Sequence, residues 1–291
     1  MKSYDAGLLP VVEPLDFRHS LRFLDRFPPT RGDQVVTETS LTRACSRDGV
    51  CAAVTVEQIA EGLRCTVRCE QPLAGEIVAA HAEHIADLLS TRDDLSELVA
   101  LAAQDPPFDA VERALHGFHH VKLPSLAAAM CWSVLSQRVP LATARRMLRD
   151  VVHRYGRSIT VDGTELWAFP EPADLADARV DELAALLRNT QRAGYLANVC
   201  AALAELDEHE LRTAPIEEAE DRLGAIKGIG PFATTLILVR GLGRMDYRPI
   251  ESRELLGAIE RVYGRARPLA ELASHYGDQL GYFSFYARNA P

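Results

Sequence analysis

The sequence predicts an α+β fold, in which a small N-terminal antiparallel β-sheet lobe with helices is followed by an all-α lobe. Between residues 34 and 70 polar and apolar residues alternate, as in half-buried strands, and Asp48-Gly49 and Glu61-Gly62 supply turn residues. From residue 74 onward the apolar spacing changes to that of helices and stays so. A chain of 291 residues, 47% of them hydrophobic, can bury a large core, and we expect domains at 1–100 and 101–291.

Each lobe can be divided into elements. The stretch "LLPVVEPLDFRHSLRFLDRF" (8–27) predicts a strand and then a helix entered at Pro14–Leu15, and the alternating region predicts about three strands. Pro and Gly at opposite ends of "PLATARRMLRDVVHRYG" (140–156) are typical of helix punctuation. The predicted helices of the second lobe are Ser125–Leu135, Leu141–Tyr155, Ala173–Ala176, Val180–Leu187, Gln191–Glu205, Ile216–Ala225, Phe232–Arg240, Glu251–Val262 and Leu269–Tyr276.

Composition narrows the function classes. The sequence contains no run of about 18 apolar residues, so no membrane span is predicted. The first residues lack the apolar core of a signal peptide, and we therefore expect a cytoplasmic protein. Six cysteines without metal-ligand spacing indicate reduced thiols, and the absence of a cysteine after Cys200 excludes a compact C-terminal Fe–S cluster. Histidine pairs at 81/84 and 119/120 lack an evident third ligand, which favours packing or surface roles.

Charge is segregated along the chain. The net charge of −9 argues against nonspecific coating of nucleic acid. Residues 222–268, however, hold nine basic and four acidic side chains, whereas residues 202–221 hold eight acids and one arginine. A basic segment in an acidic protein is compatible with one surface that faces DNA, although solvated helix faces explain it equally well.

The stretch "IKGIGPFAT" (226–234) predicts a tight corner between two helices. Ile216–Ala225 has an acid-rich first turn, Gly228 permits a positive φ that ends the helix, and Pro231 can begin the next one. Free backbone N–H groups at the start of the second helix would form an anion site suited to a DNA phosphate. On its own the motif is weak, and a simple helix cap is the competing interpretation.

The wider context resembles the helix-hairpin-helix (HhH-GPD) DNA glycosylase superfamily, in particular the AlkA-type 3-methyladenine DNA glycosylases. The arrangement "LGAIKGIGPFATTLILVRGLGRMDYRPIESREL" (223–255) is similar to the family's hairpin, apolar helix, short loop and Pro-acid segment, with the hairpin at 216–241. Upstream, Ser136-Gln137-Arg138 resembles the family's "GQQVS" turn, and "RAGYL" (192–196) resembles its R-x-x-Y-L element. The resemblance extends over most of the chain but is loose in the N-terminal lobe.

The resemblance implies a DNA repair enzyme that cleaves the bond between a base and deoxyribose. Positive charge develops on the sugar during such a cleavage, so a carboxylate is the natural stabiliser. At an effective dielectric near 20, a charge pair about 4 Å apart contributes about 4 kcal/mol. Alignment at Pro249-Ile250 places Glu251 where the family has its aspartate, with Asp246 and Glu254 as alternatives. Phe232 stands where bifunctional members have a lysine, which implies a monofunctional enzyme that uses water.

Further site residues follow from the same resemblance. Duplex DNA with a damaged, extruded base would meet the hairpin, with Arg138 as the wedge that fills the vacated stack. The predicted DNA-binding residues are Gln137, Arg138, Lys227, Gly228, Gly230, Thr234 and Arg253, and the predicted base pocket consists of Trp132, Phe232, Leu236, Gln279 and Tyr282. Core packing is the competing role for Trp132, and several departures from the family's pocket leave the base itself open.

Cofactors and rival functions complete the interpretation. The resemblance implies no required cofactor, but Na⁺ or K⁺ could bind the backbone carbonyls of Gly224, Ile226 and Ile229. We expect a monomer of bacterial type, associated with the nucleoid, acting on alkylated bases because an aromatic pocket favours their positive charge. The alternatives are a noncatalytic protein that binds lesions and a glycosylase for deaminated or oxidised bases.

Overall fold

A computed structural model describes residues 1–30 and 33–291 and contains two antiparallel sheets among many helices. The larger sheet has the strand order β1-β5-β4-β3-β2, and the smaller one is a two-stranded hairpin. The strands are β1 Lys2–Leu8, β2 Gln34–Val36, β3 Ser40–Arg47, β4 Val50–Ile59, β5 Gly62–Cys69, β6 Arg157–Val161 and β7 Thr164–Ala168.

The helices follow in chain order. They are α1 Phe17–Arg26, α2 Gly75–Leu88, α3 Ser96–Ala102, α4 Pro106–Ala114, α5 Leu126–Leu135, α6 Leu141–Tyr155, α7 Pro172–Leu175, α8 Val180–Leu187, α9 Thr190–Leu203, α10 Glu208–Thr213, α11 Ile216–Gly224, α12 Pro231–Ile237, α13 Arg253–Tyr263, α14 Leu269–Tyr276 and α15 Leu280–Asn289. A π-helical turn, Leu238–Leu242, extends α12, and a 3₁₀ turn, Gly277–Gln279, precedes α15.

The α+β class predicted from the sequence is confirmed. The turns at Asp48-Gly49 and Glu61-Gly62 join β3, β4 and β5, but the region that predicted about three strands contains four, and β1 pairs with β5 as a fifth. Helices α6, α8 and α14 have the predicted bounds. The other six predicted helices differ from the observed ones at their ends by one to three residues.

One prediction about the second lobe is wrong. Its helical spacing does not continue without interruption, because residues 157–168 form the β6–β7 hairpin. Asp162 and Gly163 have φ values of 49° and 81°, which suits a tight two-residue turn. Ile159, Val161 and Leu166 pack with Ala44 and Ala53 of the large sheet, so this hairpin attaches the middle of the chain to the sheet.

Two hydrophobic clusters divide the helices. One cluster joins the large sheet and α1–α4 to the C-terminal helices α13–α15, and the other consists of α5, α6, α8, α9 and the hairpin helices. The C-terminal helices therefore pack on the N-terminal lobe, although they are distant from it in sequence. The division of the chain at residue 100 stays a prediction.

Candidate nucleic-acid interface and base chamber

The corner between α11 and α12, residues 227–231, is built around one glycine that no other residue could replace easily. Gly228 has a φ of +110°, and a Cβ added there would lie 2.7 Å from the Cβ of Tyr195. Both facts require glycine, because L side chains rarely adopt this conformation and the Tyr195 ring occupies the space. Gly230 differs, since its φ is −104° and its surroundings are open. The corner thus depends on Gly228 for its shape.

Side chains from two other segments hold this corner. The Gln137 side-chain amide donates to the Gly228 carbonyl at 2.8 Å, and Asn198 Nδ2 donates to the Lys227 carbonyl at 3.1 Å. Arg192 Nη2 in turn donates to the backbone carbonyl of Gln137 at 2.7 Å. The predicted DNA-binding residue Gln137 is therefore a support of the corner. Arg192, which holds the backbone of Gln137, is the first residue of the R-x-x-Y-L element in α9.

The start of α12 offers backbone donors to a ligand. Gly230 is the N-cap and Pro231 the first helical residue, as predicted. The N–H of Thr234 donates to the Gly230 carbonyl at 2.9 Å and its side chain is buried, so Thr234 leaves the set of predicted DNA contacts. The N–H groups of Phe232 and Ala233 have no acceptor among the described residues. These two amides replace Thr234 as candidate donors.

A groove of about 540 Å³, here called the corner groove, opens beside the corner. It is lined by Ser133, Ser136, Gln137, Arg138, Asn189, Gln191, Arg192, Tyr195, Gly230, Pro231, Phe232 and Ala233. Arg138 is exposed and has a φ of +52°, so the backbone turns its side chain out of the loop that follows α5. Lys227 is exposed on the corner itself, and Arg253 is exposed at the first position of α13.

A second cavity of about 370 Å³, here called the aromatic chamber, lies on the other side of Phe232. It is lined by Phe23, Phe27, Phe232, Thr235, Leu236, Val239, Arg240, Met245, Tyr247, Ile250, Ser252, Glu254, Phe285, Arg288 and Asn289. These residues come from α1 and its C-cap, from α12 and its π-helical extension, from the loop before α13 and the first turn of α13, and from α15. Phe232 lines both cavities and is 67% exposed, so an aromatic ring stands between the groove and the chamber.

Arg240 places a positive charge inside the chamber. Its guanidinium carbon lies 4.9 Å from the ring centroid of Phe23, 5.2 Å from that of Phe27 and 5.5 Å from that of Phe285. Nη1 donates to the Val121 carbonyl at 2.7 Å. Burial lowers the pKa of Arg240 to about 10, which still leaves the side chain charged at neutral pH.

The acids near the chamber do not include the residue predicted to be catalytic. Glu251 is exposed in the loop before α13 and does not line the chamber, whereas Ser252 and Glu254 do. Ser252 caps α13, because its Oγ accepts from the Leu255 N–H at 3.1 Å. The start of the helix at Arg253, two residues later than predicted, turns Glu254 rather than Glu251 to the cavity.

Asp246, the other alternative acid, is held elsewhere. Both of its carboxylate oxygens accept from Arg244, at 2.9 and 2.7 Å. These hydrogen bonds lower the pKa of Asp246. Asp246 therefore secures Arg244, which also donates to the carbonyls of Leu211 and Ala214, and it does not line the chamber.

Of the five predicted pocket residues, the chamber brings together Phe232 and Leu236. Trp132 is buried in the cluster around α5, as its competing core interpretation suggested. Gln279 donates from Nε2 to Glu97 at 3.0 Å, and Tyr282 is buried and donates its hydroxyl hydrogen to Asp93. The reason is the register of α15, which directs Phe285, Arg288 and Asn289 to the chamber instead.

The chamber also contains residues that the sequence interpretation missed. Phe23 lies in the last turns of α1, and Phe27, four residues later, is the C-cap of that helix. Their i, i+4 spacing was visible in the sequence. Arg240 was marked by being the lone charge in "LILVRGL" (236–242). Nothing in the sequence indicated that α1 and α15 would meet beside the hairpin.

Metal-ligating side chains are not grouped in the part of the chain that the structure covers. No set of three or more His, Cys, Asp or Glu residues there could hold a metal ion. The ring nitrogens of His119 lie against the carbonyls of Ser90 and Pro14, which is a packing role. Of the three carbonyls predicted to bind Na⁺ or K⁺, that of Ile226 already accepts from the Ile229 N–H, and the cation stays a prediction.

All six cysteines, which lie within the described ranges, are free thiols, as predicted. No helix in residues 1–30 and 33–291 has both the length and the apolar character needed to cross a membrane.

Comparison with known proteins agrees with this geometry. Residues 131–276 match the profile of the HhH-GPD superfamily of base excision DNA repair proteins. A DNA-3-methyladenine glycosylase of Bacillus subtilis (strain 168) is 26% identical over 211 residues, which are 70% of each chain. A thymine/uracil-DNA glycosylase of Pyrobaculum aerophilum is 28% identical over 159 residues, 54% of this chain and 63% of that protein.

A solved structure has the same fold. The 3-methyladenine DNA glycosylase from Archaeoglobus fulgidus superimposes with a TM-score of 0.76 and covers 99% of this chain and 97% of its own, at 20% identity. The similarity includes the N-terminal sheet, for which the sequence resemblance was only loose.

Proposed function

The chain belongs to the HhH-GPD superfamily of base excision DNA repair proteins, and from that membership we propose that it is a monofunctional DNA glycosylase. It hydrolyses the bond between deoxyribose and a damaged base that has been extruded from duplex DNA. Alkylated bases are the first class to test, because a relative that matches 70% of the chain is a DNA-3-methyladenine glycosylase. We propose a monomer that acts in the cytoplasm on nucleoid DNA and requires no cofactor.

The observation that carries this proposal is that two cavities share the ring of Phe232. An enzyme that acts on an extruded base needs one surface for the strand and one enclosure for the base. The corner groove supplies free backbone amides at Phe232 and Ala233, whereas the aromatic chamber supplies rings for stacking. A chamber of about 370 Å³ is within the range of roughly 300–1,000 Å³ for small-ligand pockets.

The strand contacts in this proposal surround the corner. Gly230, whose surroundings are open, lets the phosphate approach the backbone, Gly228 sets the shape of the corner, and Lys227 adds a positive charge. Arg138 projects from a loop that Gln137 ties to the same corner, so it is positioned to enter the stack from which the base has left. Arg253 extends the positive surface at the start of α13.

Glu254 is the carboxylate that we assign to the chemical step. It lines the chamber together with Arg240, so its carboxylate is at the wall of the space where the base would lie. A carboxylate there stabilises the positive charge that develops on the sugar and orients the attacking water. No lysine lines the chamber as the structure describes it, which supports water rather than an amine as the nucleophile.

A base-release assay tests the proposal. Duplexes that contain one alkylated base at a defined position would be incubated with the protein, and free base and abasic sites measured together. We expect release from the damaged duplex, none from its undamaged counterpart, and no strand cleavage without added alkali. Tight binding with no release from a panel of alkylated, deaminated and oxidised bases would contradict the assignment as an enzyme.

A further inference from the structure

The aromatic chamber already contains a cation of its own. The guanidinium of Arg240 lies among the rings of Phe23, Phe27 and Phe285. We propose that Arg240 makes the chamber select uncharged damaged bases that carry a carbonyl oxygen, over bases that alkylation has made cationic. This inference rests on the proposed glycosylase function and specifies its substrate class.

The aromatic rings of the chamber already face a cation. Aromatic rings attract a cation within about 6 Å of their centroids, which is the usual reason to expect a cationic alkylated purine in such a pocket. Here three rings have Arg240 at 4.9 to 5.5 Å. Their attraction for positive charge is therefore directed at a side chain of the protein itself, and Phe232 is left for stacking of the base.

The charged side chains that line the chamber carry more positive than negative charge. Arg240 and Arg288 both line the chamber, and Glu254 is the acid that lines it with them. Tyr247 also lines it, and His120, whose ring contacts Phe285 edge-on, is kept neutral because burial and Arg240 lower its pKa. Two guanidinium groups against one carboxylate disfavour a cationic base, since like charges in a partly desolvated site repel strongly.

Arg240 retains hydrogen-bond donors that no described residue uses. Nη1 donates to the Val121 carbonyl, but Nε and Nη2 have no acceptor among the residues that the structure describes. Neither atom is among the buried polar atoms sealed from solvent, and Arg240 lines the chamber, so these donors are available to a ligand there. A guanidinium donates and never accepts, and a carbonyl oxygen of the base is its matching acceptor.

The free donors of Arg240 can stabilise the leaving base in the proposed reaction. The oxygen of water bonds to C1′ as the bond from C1′ to the base nitrogen breaks, and the electron pair of that bond stays on the base. A cationic base then leaves neutral, whereas an uncharged base leaves as an anion. The water proton passes to Glu254 and on to solvent, and the base anion takes a proton from solvent. Fixed donors such as Arg240 stabilise the anion as it forms.

The test compares two purines that share the O6 carbonyl and differ in charge. Hypoxanthine is uncharged and N7-methylguanine is cationic, and each would be placed at the same position of one duplex. Each release rate is divided by that of the duplex without protein, because the two bases leave spontaneously at different rates. We expect the acceleration to be at least about tenfold greater for hypoxanthine. Equal acceleration, or greater acceleration of N7-methylguanine, would overturn the inference.

A variant assigns the preference to Arg240. In Arg240→Gln the ratio of the two accelerations should fall by at least about tenfold, to about one, because the charge and the donors that favour hypoxanthine are both lost. In Arg240→Lys, which keeps the charge, the ratio should fall less. Thermal melting shows whether either variant has lost the fold. A ratio that is unchanged in a folded Arg240→Gln protein would contradict the assignment.

Binding separates this inference from the proposed function. Wild-type affinity would be measured for the same two duplexes with a 2′-fluorine that blocks hydrolysis. If no base is released but hypoxanthine binds more tightly, the chamber is selective and the protein is not a glycosylase. If bases are released but the two duplexes bind and react alike, the protein is a glycosylase and the charge selection fails.

Discussion

The side-chain amide of Gln137 donates a hydrogen bond to the backbone carbonyl of Gly228, with an Nε2–O distance of 2.8 Å. This contact joins the loop after α5 to the hairpin corner, although the two are 91 residues apart in sequence. Because the backbone of Gln137 is itself held by Arg192, the neighbouring Arg138 has a fixed place relative to the corner. The proposed strand contact and the proposed wedge are thereby linked to each other through Gln137.

Gly228→Ala should destabilise the protein and weaken DNA binding. The new Cβ would meet Tyr195 at 2.7 Å in a backbone conformation that L residues rarely adopt, so we expect a loss of about 2 kcal/mol in the free energy of unfolding. Urea denaturation measures this. Gly230→Ala is the matched control and should change stability by less than about 0.5 kcal/mol, because its φ is −104° and the space is open. Similar losses in both variants would contradict the role given to Gly228.

Glu254→Gln should reduce base release by about 100-fold or more, and Glu251→Gln should reduce it little. The two glutamates are three residues apart, but only Glu254 lines the chamber, and the substitution removes charge with almost no change in volume. Single-turnover rates at saturating protein separate the chemical step from binding. If Glu251→Gln were the slower variant, the carboxylate would have to be reassigned to the residue expected from the sequence.

Phe232→Ala should lower the affinity for damaged duplex while leaving the fold intact. The ring is 67% exposed between the two cavities, so its removal creates no buried void and should change the free energy of unfolding by no more than about 0.5 kcal/mol. Loss of stacking on the base should weaken binding by about 1–3 kcal/mol. Val180→Ala, an exposed apolar residue on α8, is the control and should not alter binding. Equal binding by the two variants would remove Phe232 from the interface.

Acid should destabilise the protein partly through His81. Its ring is fully buried, neither ring nitrogen has a partner among the described residues, and burial lowers its pKa to about 4. The unfolded chain takes up a proton below a pH of about 6.5, whereas the native state does not, so stability is lost as pH falls from there to about 4.

This predicts a specific pH dependence. Between pH 7 and pH 5 His81 should account for a loss of about 2 kcal/mol in the free energy of unfolding. His81→Leu should therefore lose less stability over that interval than the wild type. Denaturant midpoints at both pH values measure the difference, and parallel pH profiles for the two proteins would show that His81 does not carry it.

The sequence predicted the fold where local rules decide the structure. Pro231 begins α12, Ser125 caps α5, and the alternating pattern gives the sheet, because caps, glycine and periodicity act over a few residues. The β6–β7 hairpin was missed because "RSITVDGTELWA" (157–168) is short and lies between helical segments. Its two-residue turn, Asp162-Gly163, was the available signal.

The site was predictable only where it is contiguous in sequence. The corner and its glycines lie within nine residues, and Phe232 and Leu236 belong to the same helix. Glu254, Phe23 and Arg288 line the chamber because of the phase at which α13 begins and because α1 and α15 pack together. Tertiary packing over more than 250 residues of sequence sets these contacts, and neither periodicity nor a motif reports it.

The aromatic chamber, the proposed enclosure for the base, is lined by residues from distant parts of the chain. Its walls include Phe27 near one end of the chain and Asn289 near the other, whereas the corner proposed to meet the strand is formed by residues 227–231, which precede the last helix. A nascent or proteolytically shortened chain without the last helix could therefore touch DNA but could not surround an everted nucleotide. If the chamber is the base site, excision requires that the final helix has docked.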